Sequence, residues 1–391
     1  MNHFHKLRTK LAILSVSLIL TSAPVINGVL PSMKNDLNLT QAQTEILSTL
    51  PNLFVVISIL LSSFMADKIG MKRTVSLGLL LVGIGGSLPI LISSYPAVIL
   101  SRLILGAGLG LFNSLAISFI SIFYASHERA SLLGIRNAFE NIGQACLTLL
   151  AGLLLTFAWR YSFAVYLLAF PLILILNLFV PETKGQTVAA EKVKPRAVKE
   201  KIDPSIYGIF LFGILMMMSN SAILVRFPSM AVLIEGNAVN ASIYLALMPL
   251  FGIIAGLLFG TVNRIFRSKT IYLYLTLLLV VNLLVSLAAN HFVLLVLALF
   301  LSGVPIAWMV PHIFNCLGNL SKTGTQLNVS TSLMVVGFNL GGLLAPSGMQ
   351  FLQFVAGSKS LAAPFPFFTI LYGLLLAILV IRNGKDSHNQ T

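Results

Sequence analysis

Ala66-Asp67-Lys68-Ile69-Gly70-Met71-Lys72-Arg73 is a short charged interruption between two long apolar runs. Before it lies Pro51 to Met65, almost wholly Leu, Ile, Val, Ser and Phe, and after it lies Val75 to Ile92. A helix needs about 20 apolar residues to cross a bilayer, and every backbone polar group inside must be satisfied internally. A charged, glycine-containing turn between two such runs is the hairpin of a chain that crosses a membrane repeatedly.

Composition agrees. The 391 residues are 57 % hydrophobic and only 9 % charged, and the mean hydropathy of +0.95 excludes a water-soluble globular protein. A net charge of +14 would point to nucleic acid in a soluble chain; in a membrane protein it expresses the bias of basic residues toward the cytoplasm, and no nucleic-acid partner is expected. Cys146 and Cys316 fall inside apolar runs and read as small buried thiols. Leu11 to Val29, behind Lys6, Arg8 and Lys10, has the charge pattern of a signal peptide. Pro24 follows the small residues directly and the apolar run continues, so this segment reads as the first span.

Apolar runs place twelve spans at 11–31, 44–66, 74–93, 97–123, 131–157, 161–180, 205–234, 239–262, 270–290, 292–317, 325–355 and 361–382. The turns at 67–73, 124–130, 181–204, 263–269 and 318–324, with both termini, then share one face. That face takes nearly all the Lys and Arg, whereas the opposite turns hold only Lys34, Arg160 and Lys359. The expectation is a plasma-membrane protein with both termini in the cytoplasm. Residues 181–204 are charged and lack apolar periodicity, so they read as a linker between bundles at 1–180 and 205–391. Residues also recur at a constant offset. Pro31-Ser32-Met33 returns as Pro228-Ser229-Met230 and Gly106 as Gly303, both at 197; Pro51 returns as Pro249 and Asn141-x-Gly143 as Asn339-x-Gly341, both at 198. A parallel six-plus-six repeat follows.

The opening stretch, Arg102-x-x-x-Gly106-x-Gly108-x-Gly110, His127-Glu128-Arg129-Ala130 and Pro181-Glu182-Thr183 together resemble motifs of the major facilitator superfamily. Ser63 stands where its hairpin pattern has a glycine, and Met71 takes the first basic place. The resemblance implies an all-α membrane protein, with twelve transmembrane helices in two pseudo-symmetric six-helix bundles. The central cavity would open alternately to either side, lined by helices 1, 4, 7 and 10 and parts of 2, 5, 8 and 11. It also implies a cytoplasmic gate of Asp67, Gly70, Arg73 and Arg129. Leu20-Thr21-Ser22-Ala23 and Leu47-Ser48-Thr49-Leu50-Pro51 are similar to the cyanate and nitroimidazole permease group. Drug:proton antiporters carry a Gly-Pro-rich helix 5; here that helix has Gly143 and Gly152 without the proline.

An ionisable group inside a span is costly, so each is a functional hypothesis. Counting from helix ends leaves Glu140 as the one acid at depth, with Glu45 near the outer surface. Arg136, Glu140, Gln144 and Thr148 follow at i+4, with Asn137 and Asn141 beside them, so helix 5 has a polar face. Glu140 reads either as the proton-linked acid or as an ion-pair partner of Arg136. Arg102 and Arg226 are the intramembrane bases. Arg102 joins Glu140 as a candidate coupling residue although about 17 Å separates their levels; Glu45 is its expected partner and Asn113 lies nearer Glu140. Asn113, Asn137, Asn141, Gln144, Asn220, Arg226, Trp308, His312 and Asn339 are the candidate substrate-binding residues.

The expected function is secondary active transport of a small organic solute, as proton-coupled export. It would be driven by the proton gradient with no cofactor or metal, by a monomer in the lipid bilayer. The alternative is uptake or exchange of a small anion against the intramembrane arginines. A membrane-embedded enzyme or receptor is the remote alternative, because no nucleophile motif or metal-spaced His/Cys set appears.

Overall fold

In the computed structural model the described residues are 3–124, 126–181, 203–236, 238–266, 269–321 and 323–388. The linker expected at 181–204 falls almost wholly outside them. The described residues form twelve helical segments. The first, α1, runs in pieces: His3–Ser15, 3-10 turns at Val16–Ile19 and Ala23–Val29, then Leu30–Asp36. The others are α2 (Gln41–Ile69), α3 (Met71–Leu91), α4 (Tyr95–Phe123), α5 (Ser126–Leu154), α6 (Trp159–Phe179), α7 (Pro204–Glu235), α8 (Ala241–Phe266), α9 (Thr270–Asn290), α10 (Phe292–Leu320), α11 (Gly324–Val355) and α12 (Phe365–His388). Among the described residues nine helices are long and apolar enough to cross a membrane, and α1 passes too if its arms, bent by 43°, are one span. The other two are α12, apolar over Phe365–Ile381, and α5, which is long but polar along one face.

Helix limits follow local chemistry. Thr40 starts α2 three residues before the apolar run: its hydroxyl accepts the Gln43 N–H at 3.2 Å, while the Gln43 side chain accepts the Thr40 N–H at 2.9 Å. Gly70 ends α2 at φ +91°, a conformation that disfavours any side chain, so the glycine of the opening stretch is a backbone requirement. The turn expected at 124–130 shrinks, since α5 already begins at Ser126.

Two hydrophobic cores form, one from α1–α6 and one from α7–α12. The repeat is visible in their contacts. A Cβ on Gly143 of α5 would lie 2.1 Å from the Leu18 carbonyl oxygen of α1, and one on Gly341 of α11 would lie 2.4 Å from that of Ile214 on α7. The Tyr166 hydroxyl of α6 donates to the Ser22 carbonyl at 3.0 Å, and that of Tyr372 on α12 meets the Ser219 hydroxyl at 2.8 Å, 197 residues after Ser22. Asn27 Nδ2 donates to the Leu224 carbonyl at 3.4 Å. These positions are again 197 apart, which places the pseudo-two-fold axis between α1 and α7.

Among the described residues, the close contacts between the bundles lie toward one side of the membrane. The face carrying the α2–α3, α8–α9 and α10–α11 turns is the basic face; the other is the opposite face. Gly28 and Gly152 both pack on Ser242, the Asn240 amide donates to the Gly152 carbonyl at 2.8 Å, and Gly342 packs on Asn52. All lie in the half nearer the opposite face. Along α5, Gly143 and Gly152 are tightly covered, whereas Gly134 has nothing within 4 Å; on α8, Gly256 and Gly260 are equally open. The structure is therefore sealed at the opposite face and splayed toward the basic face.

Candidate functional site

The cleft between the bundles ends in a roof, and the break in α1 lies beside it. Pro24 cannot donate a backbone hydrogen bond, and the chain leaves helical winding between Ile19 and Ala23. Irregular backbone at membrane depth survives only where protein or a wet cavity satisfies it. Here the Thr21 hydroxyl donates to the Glu140 backbone carbonyl at 3.1 Å, and Ser22 takes the Tyr166 hydroxyl. Arg102 Nη1 donates to that same hydroxyl at 3.0 Å. Arg102 and Glu140 make no ion pair, yet both are tied to adjacent residues at the break. Tyr166 and Thr21 were not among the expected site residues; Pro24 after Thr21-Ser22 was the available signal.

On α5, residues 137, 141, 144, 148 and 152 fall within roughly an 80° arc, and its upper end, Gly152, packs on α8. Asn137, Asn141 and Gln144 continue that arc below the covered end, into the cleft. Glu140 lies about 40° beyond the arc, between the cleft and the side packed on α1, and its carboxylate is 2.6 Å from Arg136 Nη2. Both partners sit on α5, so the ion pair travels with one helix. Asn220 lies one turn below Leu224, at the roof, and its Oδ1 is buried without a hydrogen-bond partner. Asn113 and Asn339 are half-buried, the latter with Nδ2 on the Val335 carbonyl at 2.9 Å.

Other candidates are placed elsewhere. The Trp308 indole donates to the Ala255 carbonyl of α8 at 2.6 Å, and His312 meets Tyr274 of α9 edge-on at 5.4 Å. Both therefore pack within the second bundle rather than on the cleft. At the basic face Asp67 is exposed; the side chain of Arg129 lies outside the described ones, so their pairing is left as an expectation.

Two expectations about Glu45 are corrected. It is not a surface acid but 1 % exposed, and its partner is not Arg102 but Arg226, which is fully buried and 3.0 Å away through Nε. Depth counted along α2 ignores that α7 and α11 close over this end. Each Arg226 nitrogen has a partner: Nε takes Glu45, Nη1 donates to the Leu361 carbonyl at 2.7 Å and Nη2 to Gln353 Oε1 at 2.8 Å. The Gln41 amide also donates to Glu45 at 3.0 Å and reaches Ser229 at 3.4 Å. This polar knot joins α2 of one bundle to α7 of the other, and with Asn27 (which accepts from Ser48 at 2.6 Å) it seals the roof.

Two pseudo-symmetric bundles, closed at one face and parted at the other around a polar cleft, define a transporter that works by alternating access. The chain belongs to the Major Facilitator Superfamily, which it matches over residues 12–346. Among solved structures, a peptide transporter, POT, aligns with a TM-score of 0.73 and 15 % identity over 97 % of this chain and 95 % of that one. A D-xylose-proton symporter aligns at 0.70 and 17 % identity over 96 % and 97 %. Plastidic glucose transporter 4 of Arabidopsis thaliana is 29 % identical over 195 residues, covering 47 % of this chain and 34 % of that protein. The chain thus spans about a third of the length of that relative. The protein is a secondary transporter and not an enzyme.

Proposed function

We propose that the transported solute is a small, neutral, polar organic molecule moved by proton-coupled exchange. One observation carries the reading: the charged side chains around the cleft are already engaged. Glu140 holds Arg136, Glu45 holds Arg226, and Arg102 is sealed inside the first bundle. Side-chain amides remain, those of Asn137, Asn141, Gln144 and Asn220, which suit a hydroxylated solute better than an ion. Asn137 Oδ1 accepts from Arg136 at 3.4 Å and Asn141 Nδ2 donates to the Asn137 carbonyl at 2.9 Å, each leaving its other amide atom for a solute. The glucose- and xylose-named relatives fit that chemistry. The alternative of a small anion held by Arg226 loses support, because all three nitrogens of that side chain already have partners.

In the proposed orientation the basic face and both termini are cytoplasmic, the protein acts as a monomer, and net movement is outward. Counterflow in proteoliposomes with monosaccharides, polyols, nucleosides, monocarboxylates and amines tests the class. Neutral hydroxylated solutes are expected to exchange and to be lost with Asn220→Ala. Exchange confined to monocarboxylates would overturn the reading.

Asp67 is proposed to govern switching rather than binding, through a cytoplasmic gate that forms when the basic face closes. Asp67→Asn is expected to slow transport at least about tenfold while solute affinity stays within a few-fold. A lost affinity with normal turnover would contradict it.

A further inference from the structure

We propose that Glu45, through its ion pair with Arg226, is the residue that couples a proton to opening of the face opposite the basic one. The inference rests on the proton-coupled reading above and names the group that carries the proton. Among the described residues two carboxylates within the spans make ion pairs, Glu45 at 1 % exposure and Glu140 at 16 %. That of Glu140 is bound to Arg136 four residues earlier on the same helix, so the pair can survive a rigid movement of its bundle. That of Glu45 is bound across the bundles, and alternating access requires those bundles to part there.

The two partners are not equally dependent on each other. Arg226 keeps two hydrogen bonds within its own bundle, to Leu361 and Gln353, and it stays charged at any working pH. Glu45 has only the Gln41 amide on its own helix, and its second oxygen, Oε2, is buried with no partner. Neutralising Glu45 removes the charge attraction across the roof and leaves Arg226 held by its own bundle. The step is a simple protonation: a proton from water at the opposite face adds to the Glu45 carboxylate, the contact to Arg226 Nε is released, and no covalent bond breaks. While the roof is sealed the carboxylate is held by Arg226 across the bundles, and once the roof parts that contact is gone. Acid pH favours the parted roof.

The other charged groups around Glu45 are held elsewhere. Lys34 on α1 reaches Gln41 Oε1 at 2.9 Å rather than the carboxylate, and Asp36 takes the Trp159 indole at 2.6 Å. On α4, Arg102 turns to Tyr166. Lys359, in the turn after α11, is exposed. Arg226 alone among these makes an ion pair with Glu45.

The test is pulsed EPR on the full chain with both native cysteines replaced by serine. Spin labels at Leu91→Cys on α3 and Phe354→Cys on α11, exposed ends of opposite bundles, report the width of the roof. In the otherwise wild-type chain, lowering pH from about 8 to about 5 is expected to raise the long-distance population at least roughly tenfold relative to the short. Glu45→Gln should show the long distance at every pH, and Glu140→Gln should keep the wild-type response. The double variant Glu45→Gln/Arg226→Met, which buries no unpaired charge, should also be pH-independent, and it serves if the single variant does not fold. A wild-type response persisting in either Glu45 variant overturns the proposal, as does a response abolished by Glu140→Gln alone. Proteoliposome uptake separates the two readings: if Glu45→Gln still concentrates solute on a pH gradient, proton coupling stands and Glu45 is not its carrier. If the wild type cannot do so, the proton-coupled reading itself fails.

Discussion

Valine at Gly143 is expected to deprive the protein of most of its folded, monodisperse population. The first atom added there would sit 2.1 Å from the Leu18 carbonyl oxygen and 2.6 Å from that residue's Cα and carbonyl carbon. These are backbone atoms, so no rotamer change relieves the clash, and α5 must move off α1 just below the break at Thr21 and Ser22. Overpacking in a filled core costs about 1–3 kcal/mol and sometimes more; here it also strips the Thr21 hydroxyl from its carbonyl partner on α5. Size-exclusion profiles and thermal melts of detergent-purified protein measure the effect. Gly134→Val is the internal control, because nothing lies within 4 Å of that position on the same helix. Gly341→Val, the repeat-related site with 2.4 Å to the Ile214 carbonyl oxygen, should fail like Gly143→Val. Equal stability of Gly143→Val and Gly134→Val would mean that α1 and α5 are not locked in this way.

The same glycines show what could be read from the chain. Runs of apolar residues fixed twelve helices because bilayer thickness leaves few alternatives. Part of the 197–198 offset is legible because glycines at repeated positions sit against a neighbouring helix backbone. Gly106 lets α4 approach Pro51 of α2, with its would-be Cβ 2.3 Å from the proline carbonyl oxygen. Gly303 lies against the Met248 carbonyl of α8, at 3.3 Å. The break in α1 is signalled by Pro24, but hydropathy does not count hydrogen-bond donors, so the apolar run alone reads as one continuous span.

The pairing of Glu45 was not legible. Glu45 and Arg226 are on helices of different bundles, and which residues meet there depends on which face is closed. Reasoning by level along one helix linked Glu45 to Arg102, the nearer arginine in the same bundle. The packing instead turns Arg102 toward α6. Trp308 and His312 turn from the cleft for a related reason: a polar residue on a cavity-lining helix can point back into its own bundle, where Ala255 and Tyr274 receive it.

Arg102 carries the second large expectation. Its guanidinium is fully buried, with its carbon 4.9 Å from the Phe163 ring centre and 5.1 Å from that of Tyr166. Nη1 reaches the Tyr166 hydroxyl, but Nε and Nη2 have no hydrogen-bond partner. Ring faces offset part of the cost of burying a cation, yet a lysine-like escape through deprotonation is closed to arginine. A charge kept at such a site burdens stability, because taking an ion out of water is repaid only by well-matched partners. Arg102→Met fills similar space without charge. It is therefore expected to melt at or above the wild-type temperature while losing transport by roughly tenfold or more, as befits an intramembrane charge retained for function. Tyr166 would still bond Ser22 at the break, so solute affinity should change less than turnover. Thermal melts and counterflow rates on the same preparations decide the matter. A large drop in melting temperature with transport per folded molecule unchanged would make Arg102 a structural pin between α4 and α6, with the ring contacts and a single hydrogen bond sufficient to hold it.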